Sequence, residues 1–257
     1  MASAFWSNIA IRVDAFIIGS MKCATKWLAQ SLRNSGRVII PGECQGLTQL
    51  ADNDGSFYNS FFSAQAQAPE LCTIDYSNSY MLDASLPEKM KTKFGAVPVI
   101  LCFRNPVERA FSHYLMDVTY EIYEFEPESG FREALLSPRT YSYFDCGLYR
   151  KNLIPFLDVF GSQLVMVVDV DTIGKNPQGV VRRVLDFLRA NDAAAAPVTE
   201  RVNSWEQFRS QHLGEKFKPI RKPVLQSRDK DWLWNFYREE HETFLKDIER
   251  LPNVVRF

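Results

Sequence analysis

Short runs of apolar residues, each bounded by turn residues, constrain the fold of this chain more than any other feature. They show little of the polar alternation expected of a half-exposed strand, so they are typical of strands buried on both faces of a parallel sheet. The runs occupy residues 15–18, 38–40, 71–74, 97–103 and 164–170.

Helical patterns separate these runs and follow the last one, at residues 25–33, 106–116, 149–160, 177–189 and 232–251. Strands that alternate with helices predict an α/β fold, with a central, mostly parallel sheet flanked by helices and joined by right-handed crossovers. We expect a single domain over residues 1–257, with a core at 13–190 and a C-terminal basic loop and helix at 191–257. Ligands of such sheets bind beyond the carboxyl ends of the strands, so the residues after each run are the functional candidates.

The charge balance excludes several kinds of partner. The 257 residues carry 30 basic and 31 acidic side chains, which gives no general attraction to nucleic acid or to an anionic membrane.

No apolar run approaches the ~20 residues that a membrane span needs, and no leader-like segment is visible, so we expect a cytoplasmic protein. The five cysteines are scattered without a C-x-x-C pair, so no metal-binding pattern is present.

The turn after the first run reads G-S-M-K-C-A-T-K over residues 19–26 and leads into a helix. Free backbone N–H groups and the positive end of the helix dipole make such a turn an anion site. Lys22 adds a charge and Thr25 a hydroxyl donor. A Walker A loop has a glycine where Ala24 stands and its lysine later, so the pattern favours a phosphate but not a nucleoside triphosphate. A tight turn with a solvated lysine is the alternative.

The turn after the fourth run reads R-N-P-V-E-R-A-F-S-H-Y over residues 104–114. Asn105 is a good N-cap and Pro106 a good first helical residue, so the helix start is well specified. Arg104 stands at the end of the strand, and Arg109 and Ser112 share a helix face. Arginine with a hydroxyl near a helix N-terminus suits a phosphate, although a capped helix with a surface arginine would look the same.

Together the two turns resemble the two nucleotide-binding motifs of the sulfotransferase superfamily, which uses 3′-phosphoadenosine-5′-phosphosulfate (PAPS). They are most similar to the heparan-sulfate type, with K-x-G-T in the first loop and R-[DN]-P-x-x-R-x-x-S-x-Y in the second. The resemblance covers roughly residues 13–190. It implies a P-loop-like sulfotransferase fold, PAPS as donor, 3′,5′-ADP as product and no metal.

The resemblance also implies roles for individual residues. Lys22 matches the lysine that contacts the 5′-phosphosulfate and stabilises charge on the leaving phosphate. The loop around it is implied to hold the 5′-phosphate, and Arg104 and Ser112 to bind the 3′-phosphate. The loop residues concerned are Ser20, Lys22, Cys23, Ala24, Thr25 and Lys26.

An acceptor hydroxyl must lose a proton during transfer, which requires a positioned base. We favour Glu43, which follows the second apolar run where heparan-type members place a catalytic glutamate. A solvated loop charge is the alternative. His113 is a rival because other branches of the superfamily use histidine, although its place beside Ser112 favours a structural role. Asp75, at the end of the third run, is a further candidate.

The sequence departs from the family pattern in three places. Ala24 replaces a glycine, so the backbone would approach the phosphate less closely. Tyr76 stands where many relatives have lysine and Asn78 where they have proline, which leaves a second catalytic lysine in doubt. The late basic loop of the family is only loosely matched, at residues 216–223, where Arg221 and Lys222 are candidates for the nucleotide site and a solvated linker is the alternative.

The sequence carries fewer signals for the acceptor than for the nucleotide. A net charge of −1 shows no extended basic groove for an anionic polysaccharide, and we expect a small molecule or a sugar with a hydroxyl. Two alternatives to a PAPS sulfotransferase stay open on the residues alone. One is a P-loop kinase or nucleotide hydrolase, with residues 164–168 as its strand and Asp169 directly after them as its magnesium ligand. The other is a non-catalytic nucleotide-binding relative.

Overall fold

The computed structural model describes residues 2–48, 55–63, 68, 70–120, 130–137, 141–190, 205–214 and 221–257. Six strands form one sheet in the order β2-β3-β1-β4-β5-β6, and every neighbouring pair is parallel. The strands are β1 (Ala15–Gly19), β2 (Val38–Ile39), β3 (Cys72–Tyr76), β4 (Val99–Phe103), β5 (Val165–Asp169) and β6 (Val254–Val255). The predicted α/β fold with a central parallel sheet is confirmed.

Helices precede, connect and flank these strands. They are α1 (Ala2–Asn8), α2 (Thr25–Arg33), α3 (Ser56–Phe61), α4 (Leu86–Phe94), α5 (Pro106–Thr119), α6 (Gly130–Leu136), α7 (Tyr141–Asp145), α8 (Tyr149–Phe160), α9 (Pro177–Phe187), α10 (Trp205–Leu213) and α11 (Ser227–Ile248). No helix in these described segments is long and apolar enough to cross a membrane.

Burial explains the strand signal. All five residues of β1, β4 and β5 are buried, because helices cover both faces of a parallel sheet and leave no exposed side to produce alternation. A second apolar cluster lies beneath α5, with Tyr114 and Phe131 in contact at a ring distance of 5.3 Å. Tyr237 of α11 belongs to this cluster, so the C-terminal helix packs against the same part of the fold as α5.

Several elements have weak sequence signals. The sheet takes its last strand, β6, from two residues near the chain end, too few to stand out as an apolar run. Helix α4 was not predicted, although Leu86, Met90 and Phe94 repeat at the spacing of a helix face. The C-terminal helix begins at Ser227 and ends at Ile248 rather than spanning residues 232–251, since its first turn is polar and lacks the apolar spacing of the later turns.

Candidate active site

The two candidate anion loops follow adjacent strands. Strands β1 and β4 are neighbours at the centre of the sheet. The chain continues from β1 to β2 and β3 on one side of the sheet, and from β4 to β5 and β6 on the other. The strand order therefore reverses between β1 and β4. Open parallel sheets bind ligands at such a point. The Ser20 N–H donates to the Cys102 carbonyl at 2.9 Å, which holds the start of the first loop against β4.

The first loop turns into α2 through two residues in the left-handed region. Lys22 has φ 68° and Ala24 has φ 53°. Ala24 is the N-cap of α2, and no side chain caps the helix there. The amides of the first turn therefore remain suited to an anion. Ala24 keeps the backbone conformation that favours glycine, at a cost of about 1–2 kcal/mol for its Cβ.

Other loop residues are partly committed to the fold. The Ser20 hydroxyl is buried and donates to the Cys146 carbonyl at 2.7 Å. The Cys23 thiol is buried 3.5 Å from the Tyr149 hydroxyl, and burial raises the pKa of this thiol to about 11. Ser20 and Cys23 can thus serve an anion mainly through the shape and backbone of the loop. Lys26, on the first turn of α2, is exposed.

Lys22 lies among charges of both signs. Burial lowers its pKa to about 8, with the charges of Arg109 and Arg104 acting in the same direction. Asp117 and Glu43 oppose this effect, so both carboxylates lie close enough to attract the ammonium group. The cost of burying this cation falls when an anion binds beside it, as expected of a lysine that serves a phosphate or sulfate.

The second loop forms as the sequence predicts. Asn105 caps α5, and its side-chain oxygen accepts from the N–H groups of Val107 at 3.0 Å and Glu108 at 3.2 Å. Arg104 donates to the Glu108 carboxylate at 2.7 Å, and its Nε is buried without a hydrogen-bond partner in the described part of the chain. Ser112 is half-buried two turns into α5. Arg104 thus retains a buried donor for an anion.

Arg109 is wholly buried rather than on the surface. Its guanidinium donates to the Tyr143 carbonyl in α7, while its Nε and Nη1 have no hydrogen-bond partner among the described residues. The Tyr237 hydroxyl of α11 donates to the same carbonyl at 2.7 Å. This arginine therefore joins α5 to α7 and adds positive charge near Lys22.

Tyr149 connects the two loops and was not singled out from the sequence. Its hydroxyl lies 3.5 Å from Cys23 Sγ in the first loop and accepts from the Arg104 N–H in the second, also at 3.5 Å. Tyr149 begins α8, far from either loop in sequence. Only tertiary packing reveals its position, so no local pattern could have indicated it.

Glu43 lines a cleft of about 490 Å³ beside the first loop, a volume within the usual range for small-molecule sites. The lining residues are Met21, Glu43, Gln45, Gly46, Phe57, Asn78, Met116 and Tyr120. The Glu43 backbone runs parallel to Tyr76, with the Cys44 N–H donating to the Tyr76 carbonyl at 2.7 Å. The Glu43 charge also acts to raise the pKa of Lys22, so the structure brings together two residues that are far apart in the sequence.

The rival bases lie in the interior. Asp75 is wholly buried and accepts from Tyr58 at 2.6 Å and from Tyr80 at 3.1 Å. Burial raises its pKa to about 7. His113 is also buried, and burial with the charges of Arg109 and Lys22 holds its pKa far below its usual value. These positions suit structural roles for Asp75 and His113.

Asp117 is a charged neighbour of Lys22 that the sequence reasoning missed. It accepts from the Tyr143 hydroxyl, and its carboxylate is 4.0 Å from His113 Nε2, one turn earlier on α5. Its four-residue spacing from His113 was the available signal. Burial raises the pKa of Asp117, and the Lys22 charge opposes that rise.

Arg221, Lys222 and Asp169 are the remaining candidates from the sequence. Arg221 and Lys222 are exposed, and Lys222 Nζ lies 6.0 Å from the centre of the Trp205 ring. Most of the late basic loop, residues 215–220, falls outside the described part of the chain. Asp169 accepts from the Asp171 N–H at 3.0 Å and lies 3.4 Å from Arg256, so its carboxylate is engaged in a turn and an ion pair.

A family model described as a sulfotransferase domain matches residues 12–213. The chain belongs to the sulfotransferase family. Mouse heparan sulfate glucosamine 3-O-sulfotransferase 3B1 is 30% identical over 179 residues, covering 68% of this chain and 45% of that protein. The mouse 3A1 enzyme is 28% identical over the same shares of the two chains. This sulfotransferase therefore spans less than half the length of these relatives.

Solved structures share the fold. A sulfotransferase from Alicyclobacillus acidocaldarius superposes with a TM-score of 0.73 at 21% identity, over 94% of this chain and 97% of that one. A mouse sulfotransferase complexed with PAP gives a TM-score of 0.50 at 16% identity, over 93% of this chain and 87% of that one. These similarities confirm the sulfotransferase fold predicted from the sequence.

Proposed function

We propose that this sulfotransferase moves the sulfo group of PAPS to a hydroxyl of a small-molecule or carbohydrate acceptor and releases 3′,5′-ADP. One observation carries the proposal: two cationic loops follow adjacent strands, and the cleft beside the first loop holds a carboxylate. A donor with phosphates at both ends requires two anion sites, and the acceptor requires a base at the 5′ end.

The first loop suits the 5′-phosphosulfate, because the N-terminus of α2 and Lys22 meet there. Arg104, with its buried unpaired Nε, suits the 3′-phosphate together with Ser112, which lies two turns into α5. Arg221 and Lys222 are proposed as additional contacts to the nucleotide. No described residues form a metal-binding group, and the proposed chemistry uses none.

Transfer follows from these positions. The acceptor oxygen forms a bond to sulfur while the bond between sulfur and the 5′-phosphate oxygen breaks. Glu43 takes the acceptor proton, and Lys22 stabilises the negative charge that develops on the departing phosphate oxygen. Alignment and charge stabilisation supply most of such a rate enhancement.

The cleft favours an acceptor without negative charge. Glu43 is the only charged residue among its lining residues in the described part of the chain. A polyanion would meet no cation among these lining residues and would be repelled by the Glu43 carboxylate, whereas Met21, Phe57 and Met116 offer apolar contact. We therefore propose a neutral, partly apolar hydroxyl compound.

A transfer assay tests both parts. Purified protein is incubated with PAPS and, in separate reactions, 2-naphthol, a neutral disaccharide and an N-sulfated heparan oligosaccharide, and the products are identified by mass. We expect sulfation of a neutral compound, unaffected by EDTA. Preferred sulfation of the oligosaccharide would contradict the acceptor class, and release of no 3′,5′-ADP with any acceptor would contradict the activity.

The base is tested with a matched pair of glutamate variants. Glu43→Gln should slow transfer by ~10²–10⁴-fold, the usual contribution of a general base, and leave 3′,5′-ADP binding intact. Glu88→Gln, on the exposed face of α4, should have no effect. Full activity of Glu43→Gln would rule out Glu43 as the base.

The cytoplasmic location stays a prediction, which cell fractionation can check.

A further inference from the structure

The hydroxyl of Tyr76 occupies the space between the first loop and the base. Tyr76 ends β3 and is 3% exposed. Its hydroxyl lies 3.2 Å from Thr25 Oγ1, at the start of α2, and donates to Glu43 Oε2 at 3.4 Å. The same phenol therefore contacts a residue of the nucleotide loop and the carboxylate that lines the acceptor cleft.

The backbone reinforces this arrangement. The Tyr76 carbonyl accepts from the Cys44 N–H at 2.7 Å, and Glu43 forms a parallel bridge with Tyr76. Glu43 is thus held by main-chain pairing on one side and by a side-chain donor on the other. A glutamate with several free torsions needs such a second contact to keep one orientation.

The direction of the hydrogen bonds is defined by chemistry. Burial, followed by the charge of Glu43, raises the pKa of Tyr76, so the phenol keeps its proton at neutral pH. A carboxylate can only accept, so the phenol proton points to Glu43 and its oxygen can accept from the Thr25 hydroxyl. The 3.4 Å separation is long, as catalytic hydrogen bonds often are before substrates bind.

We propose that Tyr76 is a positioning residue, whose hydroxyl aligns Glu43 with the acceptor and links that carboxylate to the nucleotide loop through Thr25. The inference rests on the proposed sulfo transfer and on Glu43 as its base. Many relatives have lysine at the position of Tyr76. In this chain, the neutral hydroxyl of Tyr76 orients Glu43 instead.

The test is a double-mutant cycle on the full chain, with wild type, Tyr76→Phe, Glu43→Gln and the double variant. Rates of 3′,5′-ADP release from PAPS are measured with the best acceptor of the panel and with water alone. Tyr76→Phe should lower kcat about tenfold, the effect of one hydrogen bond to a charged group. The acceptor KM and the Kd for 3′,5′-ADP should change less than about twofold. In the Glu43→Gln background the second change should cost nothing further, because Tyr76 acts through Glu43.

Tyr58→Phe is the matched control, because it removes another buried tyrosine hydroxyl that donates to a carboxylate, that of Asp75. It should lower stability but not kcat. The inference is overturned if Tyr76→Phe keeps full kcat, if its loss is equal in both Glu43 backgrounds, or if Tyr58→Phe has the same kinetic effect. A wild-type protein that binds 3′,5′-ADP but never releases it from PAPS contradicts the proposed function, and the inference with it.

Discussion

Raising the pH should weaken nucleotide binding through a single residue, Lys22. Burial lowers the pKa of this lysine to about 8, whereas the 5′-phosphate of 3′,5′-ADP has already lost its second proton by pH 7. If the protonated ammonium is the form that binds, its fraction in the free protein falls from about nine-tenths at pH 7 to about one-tenth at pH 9. The Kd for 3′,5′-ADP should therefore rise about tenfold over this interval.

Isothermal titration calorimetry at pH 7, 8 and 9 measures this effect. At pH 8–9 binding should also take up a proton, because the phosphate raises the pKa of Lys22, and the observed heat should then depend on the buffer. Lys22→Arg keeps a charge across this range and should show a flat Kd. Lys22→Met should bind weakly at every pH. An unchanged wild-type Kd between pH 7 and 9, or an equal rise in Lys22→Met, would refute the reasoning.

Two further predictions concern stability and use urea denaturation. Ala24→Gly should leave the free energy of unfolding unchanged or raise it by up to about 1 kcal/mol, because Ala24 is in the left-handed region. Ala29→Gly, in the middle of the same helix and buried, should lower it by at least about 1 kcal/mol; equal losses at both positions would contradict this account. Burial raises the pKa of Asp75 from 3.8 to about 7, so the unfolded chain loses this proton first and stability should fall as pH rises through that window. Asp75→Asn should remove this part of the pH dependence, and an identical pH profile in the variant would exclude Asp75 as its source.

Local sequence patterns predicted the elements that local interactions build. The capped start of α5 is an example, since Asn105 and Pro106 act within one helical turn. The same holds for the loop before α2, where a strand end, a lysine and a helix start are consecutive. Full burial of β1, β4 and β5 made their apolar runs visible without any knowledge of their neighbours.

Local sequence patterns did not predict the contacts between residues that are far apart in the chain. Tyr76 meets both Thr25 and Glu43 only because β3 lies beside β1 and the segment after β2 runs along β3. Tyr149 reaches both loops from α8, and Arg109 is buried beneath α7 and α11 rather than exposed. Each of these positions depends on the order of the strands in the sheet, which the periodicity of one segment does not encode.

The central claim is a site for a nucleotide with phosphates at both ends, and a thermal-shift titration tests it most directly. The protein is heated with 3′,5′-ADP, with 5′-AMP and with ATP–magnesium. A ligand at 100 times its Kd stabilises the fold by ~2.7 kcal/mol, which is several degrees for a domain of this size. We predict a clear shift with 3′,5′-ADP that Arg104→Ala reduces toward the small shift of 5′-AMP and that Lys22→Met abolishes. A shift with ATP–magnesium and none with 3′,5′-ADP would contradict the account.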